Sequence, residues 1–71
     1  MNVVIHLRSE QNVVIHDLEK IITKSGGDDE VTTNFKEFAY YSSSTPIIFV
    51  GKDESTCILG QDIDFVRFTK Y

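Results

Sequence analysis

A chain of 71 residues makes one domain and no more. Cys57 is its only cysteine, which excludes an internal disulfide, and the 41% hydrophobic and 25% charged shares exclude general disorder. The net charge of -4 disfavours a phosphate-backbone binder, because such proteins present a basic surface.

Asn2 to Arg8 alternates, with Val3, Ile5 and Leu7 on one side and Val4, His6 and Arg8 on the other. This predicts a strand, followed by a polar turn at Ser9-Glu10-Gln11-Asn12. Asn2-Val3-Val4-Ile5-His6 then recurs as Asn12-Val13-Val14-Ile15-His16. Two similar strands joined as a hairpin account for the repeat, which is too short for a solenoid. The stretch from Asn12 to Lys24 supports two readings. Val14, Leu18, Ile21, Ile22 and Ser25 fit one face of a helix, with Asn12 as its cap and Gly26 as its stop. The β-branched triplet Val13-Val14-Ile15 opposes that helix. The favoured reading is a strand at Asn12 to Ile15, a turn or short helix at Asp17 to Glu19, and extended chain from Lys20 to Lys24.

Ser25-Gly26-Gly27-Asp28-Asp29-Glu30 reads as an acidic loop. Val31 to Tyr41 predicts a longer strand, with a bulge near Lys36 that turns Phe35 and Phe38 to one side. Ser42 to Pro46 is a polar linker. Ile47 to Val50 is continuously apolar, as in a strand covered on both faces. A turn at Gly51 to Ser55 leads to a strand at Thr56 to Leu59, and a turn at Gly60 to Asp62 leads to a last strand at Ile63 to Phe68. The apolar residues of that last strand require a kink or two covered faces.

Short strands separated by polar turns predict a single all-β domain over residues 1–71. The expected form is a small antiparallel roll or SH3-like barrel, with at most one short helix. An α+β fold with a helix at about residues 12–24 is the alternative. The expected core is Val3, Ile5, Leu7, Val13, Ile15, Ile21, Phe35, Phe38, Ile48, Val50, Ile58, Ile63, Val66 and Phe68.

No catalytic, metal or phosphate motif stands out. His6 and His16 hold equivalent places in the repeat, and adjacent strands would set them side by side, but Asp17 alone offers a third ligand. Cys57 lies in an apolar strand and reads as a small buried hydrophobe. Asp28, Asp29, Glu30, Asp53, Glu54, Asp62 and Asp64 lie in or beside turns, where water keeps carboxylates ordinary. No enzyme activity, cofactor or metal is expected. The remaining signal is aromatic: Phe38, Tyr40 and Tyr41 with Lys36 form the candidate interaction surface. A protein partner or self-association is the leading expectation. Single-stranded nucleic acid, stacked on Tyr40 and Tyr41 beside Lys36, is the alternative that net charge disfavours. The apolar runs are too short to span a membrane, and the N-terminus lacks the succession of a signal peptide, so a cytoplasmic location is expected.

The layout resembles small uncharacterised all-β proteins of Gram-positive bacteria and their prophages. The similar features are the opening strand and turn from Asn2 to Asn12, then Val14 to Ile22, and Ile48-Phe49-Val50-Gly51. The close, Asp62-Ile63-Asp64-Phe65-Val66-Arg67-Phe68, is similar to a terminal Asp-Ile pattern and to the last strand of SH3-like barrels. The resemblance implies a small β interaction module and carries no catalytic residues.

Overall fold

A computed structural model describes residues 1–39 and 44–70. Among the described residues, seven strands form two antiparallel sheets. They are β1 (Asn2–Leu7), β2 (Asn12–Ile15), β3 (Leu18–Ser25), β4 (Asp28–Thr32), β5 (Pro46–Gly51), β6 (Ser55–Leu59) and β7 (Ile63–Thr69). The order is β2-β1-β7 in one sheet and β4-β3-β5-β6 in the other. The fold is therefore all-β, as the alternation and turn spacing predict, and the alternative helix over residues 12–24 does not form. Its place is taken by β2 and β3, separated at Asp17 by a left-handed backbone with φ 52°. Asparagine and aspartate tolerate that region, whereas a helix cannot pass through it.

The repeat does form a hairpin. Val3 pairs with Ile15, Val4 with Val14, Ile5 with Val13 and His6 with Asn12. Antiparallel pairing reverses the second copy, so the first position of one copy faces the last of the other. β1 also pairs along its other edge with β7. There Leu7 faces Ile63 while His6 faces Phe65, so Asp64 is an extra, bulged residue. This bulge is the kink that the last strand requires. It lets Ile63, Val66 and Phe68 all contribute to the core.

β3 and β4 are joined at Gly26-Gly27, whose φ values of 59° and 91° suit a two-residue hairpin turn. Asp28, Asp29 and Glu30 belong to β4 and not to a loop, and all are exposed. The chain after Thr32 departs from the expected long strand. A single 3-10 turn, Phe35–Glu37, closes with the Phe38 N–H donating to the Phe35 carbonyl at 3.2 Å. Three residues per turn bring positions three apart to the same side. That turn, and not a bulge near Lys36, is why Phe35 and Phe38 both pack inward.

The core lies between the sheets and consists of Val3, Ile5, Ile15, Leu18, Ile21, Ile47, Phe49 and Ile63. Leu7, Val13, Phe35, Phe38, Ile58, Val66 and Phe68 pack against it while partly exposed. Two expected core members, Ile48 and Val50, are replaced by their neighbours Ile47 and Phe49. β5 is thus buried on one face only, with Gly51 continuing the buried side. Gly51 sets this phase: a Cβ there would stand 2.6 Å from the His16 carbonyl oxygen and 2.7 Å from Ile15 Cγ2. Leu18, expected in a turn, opens β3 as a core residue, its N–H donating to the Met1 carbonyl at 2.8 Å. The radius of gyration is 11.2 Å, which agrees with the ~11 Å of a compact chain of this length.

Candidate functional site

The predicted surface of Phe38, Tyr40, Tyr41 and Lys36 is only partly assembled by the fold. Phe38 serves the core: its ring meets Phe49 edge-on at 6.0 Å between centroids and Phe68 at 6.2 Å. Phe35 stacks on Phe68 at 5.5 Å. Lys36 stands in solvent at the rim of a shallow hollow of about 240 Å3, floored by Phe35, Phe68 and Met1. Tyr40 and Tyr41 lie outside the described residues.

The two histidines are kept apart. His6 faces Asn12, stacks on Phe65 at 4.0 Å, and has an Nε2 atom that is buried without a hydrogen bond. His16 lies beyond the other end of the hairpin, beside Glu54. No group of three histidine, cysteine, aspartate or glutamate side chains fit to hold a metal occurs among the described residues.

The fold holds the Glu54 carboxylate away from its ordinary behaviour. The His16 backbone N–H donates to Glu54 Oε1 at 2.8 Å, and His16 Nδ1 lies 3.2 Å from the same oxygen. These two hydrogen bonds, the backbone one first, lower the pKa of Glu54 below 4.5. A carboxyl lowered on folding contributes stability that is present above 4.5 and lost as pH falls through the lowered value. The acid limb of an unfolding-versus-pH curve is therefore expected to flatten in Glu54→Gln. A variant curve parallel to the wild type would contradict this role. The contact ties the β5–β6 turn to the end of β2 and is structural.

The chemistry left for a site is on the sheet formed by β3 to β6. Residues directly opposite one another across a ladder share a face. Val31 is opposite Ile22, Ile22 opposite Ile48, and Ile48 opposite Cys57. One uninterrupted row of four apolar or sulfur side chains thus crosses all four strands on the side away from the core. Val31 is 56% exposed and Cys57 is exposed, which corrects the expectation of a buried thiol. Ile22 and Ile48 are shielded only in part. Polar groups frame the row: Lys24 Nζ bonds Asp29 Oδ2 at 3.0 Å on one side, and Lys20 and Ser55 flank Val50 on the other. At the end of the row, β6 borders an open groove of about 360 Å3. Leu7, Arg8 and Ser9 form its far wall, and Cys57, Ile58 and Leu59 its near one.

Sequence reasoning gave no hint of this row, because its members come from four strands whose order is not readable from the chain. The signal available was partial: Ile48 and Val50 sit in an apolar run with one side chain too many for a single face. No helix among the described residues is long and apolar enough to cross a membrane. No protein family, curated protein or solved structure matches the chain.

Proposed function

We propose that this chain is a non-enzymatic protein-interaction module that binds through the outer face of its four-stranded sheet. The observation that carries the reading is the Val31–Ile22–Ile48–Cys57 row. A contiguous apolar surface framed by charged and polar side chains is the pattern by which proteins bind one another. The acids available for proton transfer, Asp28, Asp29, Glu30, Asp53, Glu54, Asp62 and Asp64, all stand in solvent, which supports a binding role over a catalytic one. The work of Phe35 and Phe38 in packing leaves less for base stacking, which favours a protein partner over single-stranded nucleic acid. In a reducing cytoplasm Cys57 would serve as a small apolar member of the row.

The test is retention of protein from source lysate, split into nuclease-treated and untreated halves, on a tagged chain mixed with untagged copies. Wild type is expected to retain a stoichiometric protein other than itself in both halves. Val31→Lys, an exposed change with little effect on folding, is expected to lower retention by roughly tenfold. Equal retention by Val31→Lys and Ile48→Lys would overturn the reading. Nucleic acid retained in place of protein would replace it with the Tyr40, Tyr41 and Lys36 reading.

A further inference from the structure

We propose that a second copy of the same chain joins this one along the edge of β6, which no strand pairs among the described residues, so that the outer face of one sheet continues into that of the other. The inference goes beyond the face-binding reading: it uses the edge of the sheet and leaves the face open to another partner. It begins with the four sheet edges. β4 carries Asp28, Asp29 and Glu30; β7 carries Asp64, Arg67 and a bulge; β2 is only 4 residues long. Charges, bulges and shortness are the devices that keep an edge from pairing with another chain. β6, Ser-Thr-Cys-Ile-Leu over 5 residues, has no charge and no proline.

The hydrogen-bond phase of β6 is fixed at both ends. The Gly51 N–H donates to the Glu54 carbonyl at 2.7 Å, and the Gly60 N–H donates to the Thr45 carbonyl at 3.0 Å. Bonded pairs recur at every second position of an antiparallel ladder. With the register Ile48 to Cys57, the bonded pairs between those ends are Phe49 with Thr56 and Ile47 with Ile58. Ser55, Cys57 and Leu59 therefore turn their N–H and C=O groups away from β5, toward the groove side.

That set of groups is its own complement. A two-fold axis at Cys57 pairs Cys57 with Cys57 of the second copy, and Ser55 with Leu59 in both directions. Every outward N–H then meets an outward C=O. The row Val31–Ile22–Ile48–Cys57 would continue into its own mirror order across eight strands. Charge agrees with the same axis. Asp53 and Glu54 precede β6, while Arg8 stands at its other end, with Nε donating to the Gln61 carbonyl at 2.9 Å. Antiparallel pairing brings the acidic end of one copy to the Arg8 end of the other, twice. Asp62 beside Arg8 and Lys52 beside Asp53 each offset part of that attraction.

Amide hydrogen exchange across a dilution series tests this without any variant. The Ser55, Cys57 and Leu59 amides are expected to exchange slowly when concentrated and fast when dilute. Thr56 and Ile58, already bonded to β5, are expected to change little. Sedimentation over the same series is expected to show a monomer–dimer equilibrium. Cys57→Lys, which sets two ammonium groups together at the axis, is expected to weaken it by roughly tenfold or more. Arg8→Glu is expected to weaken it as well. A chain that stays monomeric yet retains another lysate protein overturns the second copy and leaves the interaction module standing. A dimer whose three amides exchange as in the monomer also overturns edge pairing. A chain that retains nothing and never dimerises removes both.

Discussion

Phe49→Ala is expected to lower the free energy of unfolding by about 3–5 kcal/mol. Phe49 has no exposure to solvent and is the largest fully buried side chain among the described residues. It lies at the centre of β5, opposite Ile21 on one neighbour and Thr56 on the other, and carries the ring of Phe38. Truncation leaves a void that a framework of β strands closes poorly, and Phe38 loses its edge-on partner. A chain of this size has about 4–11 kcal/mol of stability in total, so the variant should be partly unfolded at 37 °C. Urea denaturation is the measurement. Ile48→Ala, one position along and on the outer face, is the control and should cost about 1 kcal/mol or less. Equal losses at the two positions would contradict the assigned phase of β5.

Gly51→Ala is the second large effect, although it adds only one methyl group. Its Cβ would meet the His16 carbonyl oxygen at 2.6 Å, Ile15 Cγ2 at 2.7 Å and the Glu54 carbonyl oxygen at 3.1 Å. Two of these three are backbone atoms and cannot rotate aside. The Gly51 N–H bond to Glu54 and the contact between Glu54 and His16 depend on the same close approach. Overpacking at a well-packed site costs roughly 1–3 kcal/mol. Loss of the β2–β5 contact adds to it, so the cost should reach the upper end. A thermal melt suffices to check it, and an unchanged midpoint would contradict the close packing at this corner.

The strands were legible wherever polar and apolar residues alternate or turn residues punctuate. β1, β2, β6 and β7 fall within one or two positions of where the pattern sets them. The phase of β5 was not legible, because Ile47, Ile48, Phe49 and Val50 are all apolar and a uniform run carries no phase. The deciding residue is Gly51, whose need for contact with His16 and Ile15 is a tertiary fact. Phe35 and Phe38 were rightly placed toward the core, but by a different local geometry. A bulged strand and one 3-10 turn both bring positions three apart to one side, and the spacing cannot separate them. The exposure of Cys57 was hidden for another reason. A residue between Thr56 and Ile58 looks internal until the strand order makes β6 an edge. The candidate surface shared this fate, since opposition of Val31, Ile22, Ile48 and Cys57 depends on register across three ladders.

The pairing of β1 with β7 has a kinetic consequence. Every other ladder joins strands near in sequence: β1 with β2, β3 with β4, β5 with β6, and β3 with β5 across one insertion. These close small loops and can form early. The first and last strands must close nearly the whole chain into one loop, with the largest entropic barrier of the set. Until they meet, Val3 and Ile5 lack Phe68 and Val66 as neighbours, and β1 and β2 form only an isolated hairpin, which is marginal in water. Refolding should therefore end with the docking of that hairpin onto β7, and destabilising changes in this ladder should act mainly by speeding unfolding.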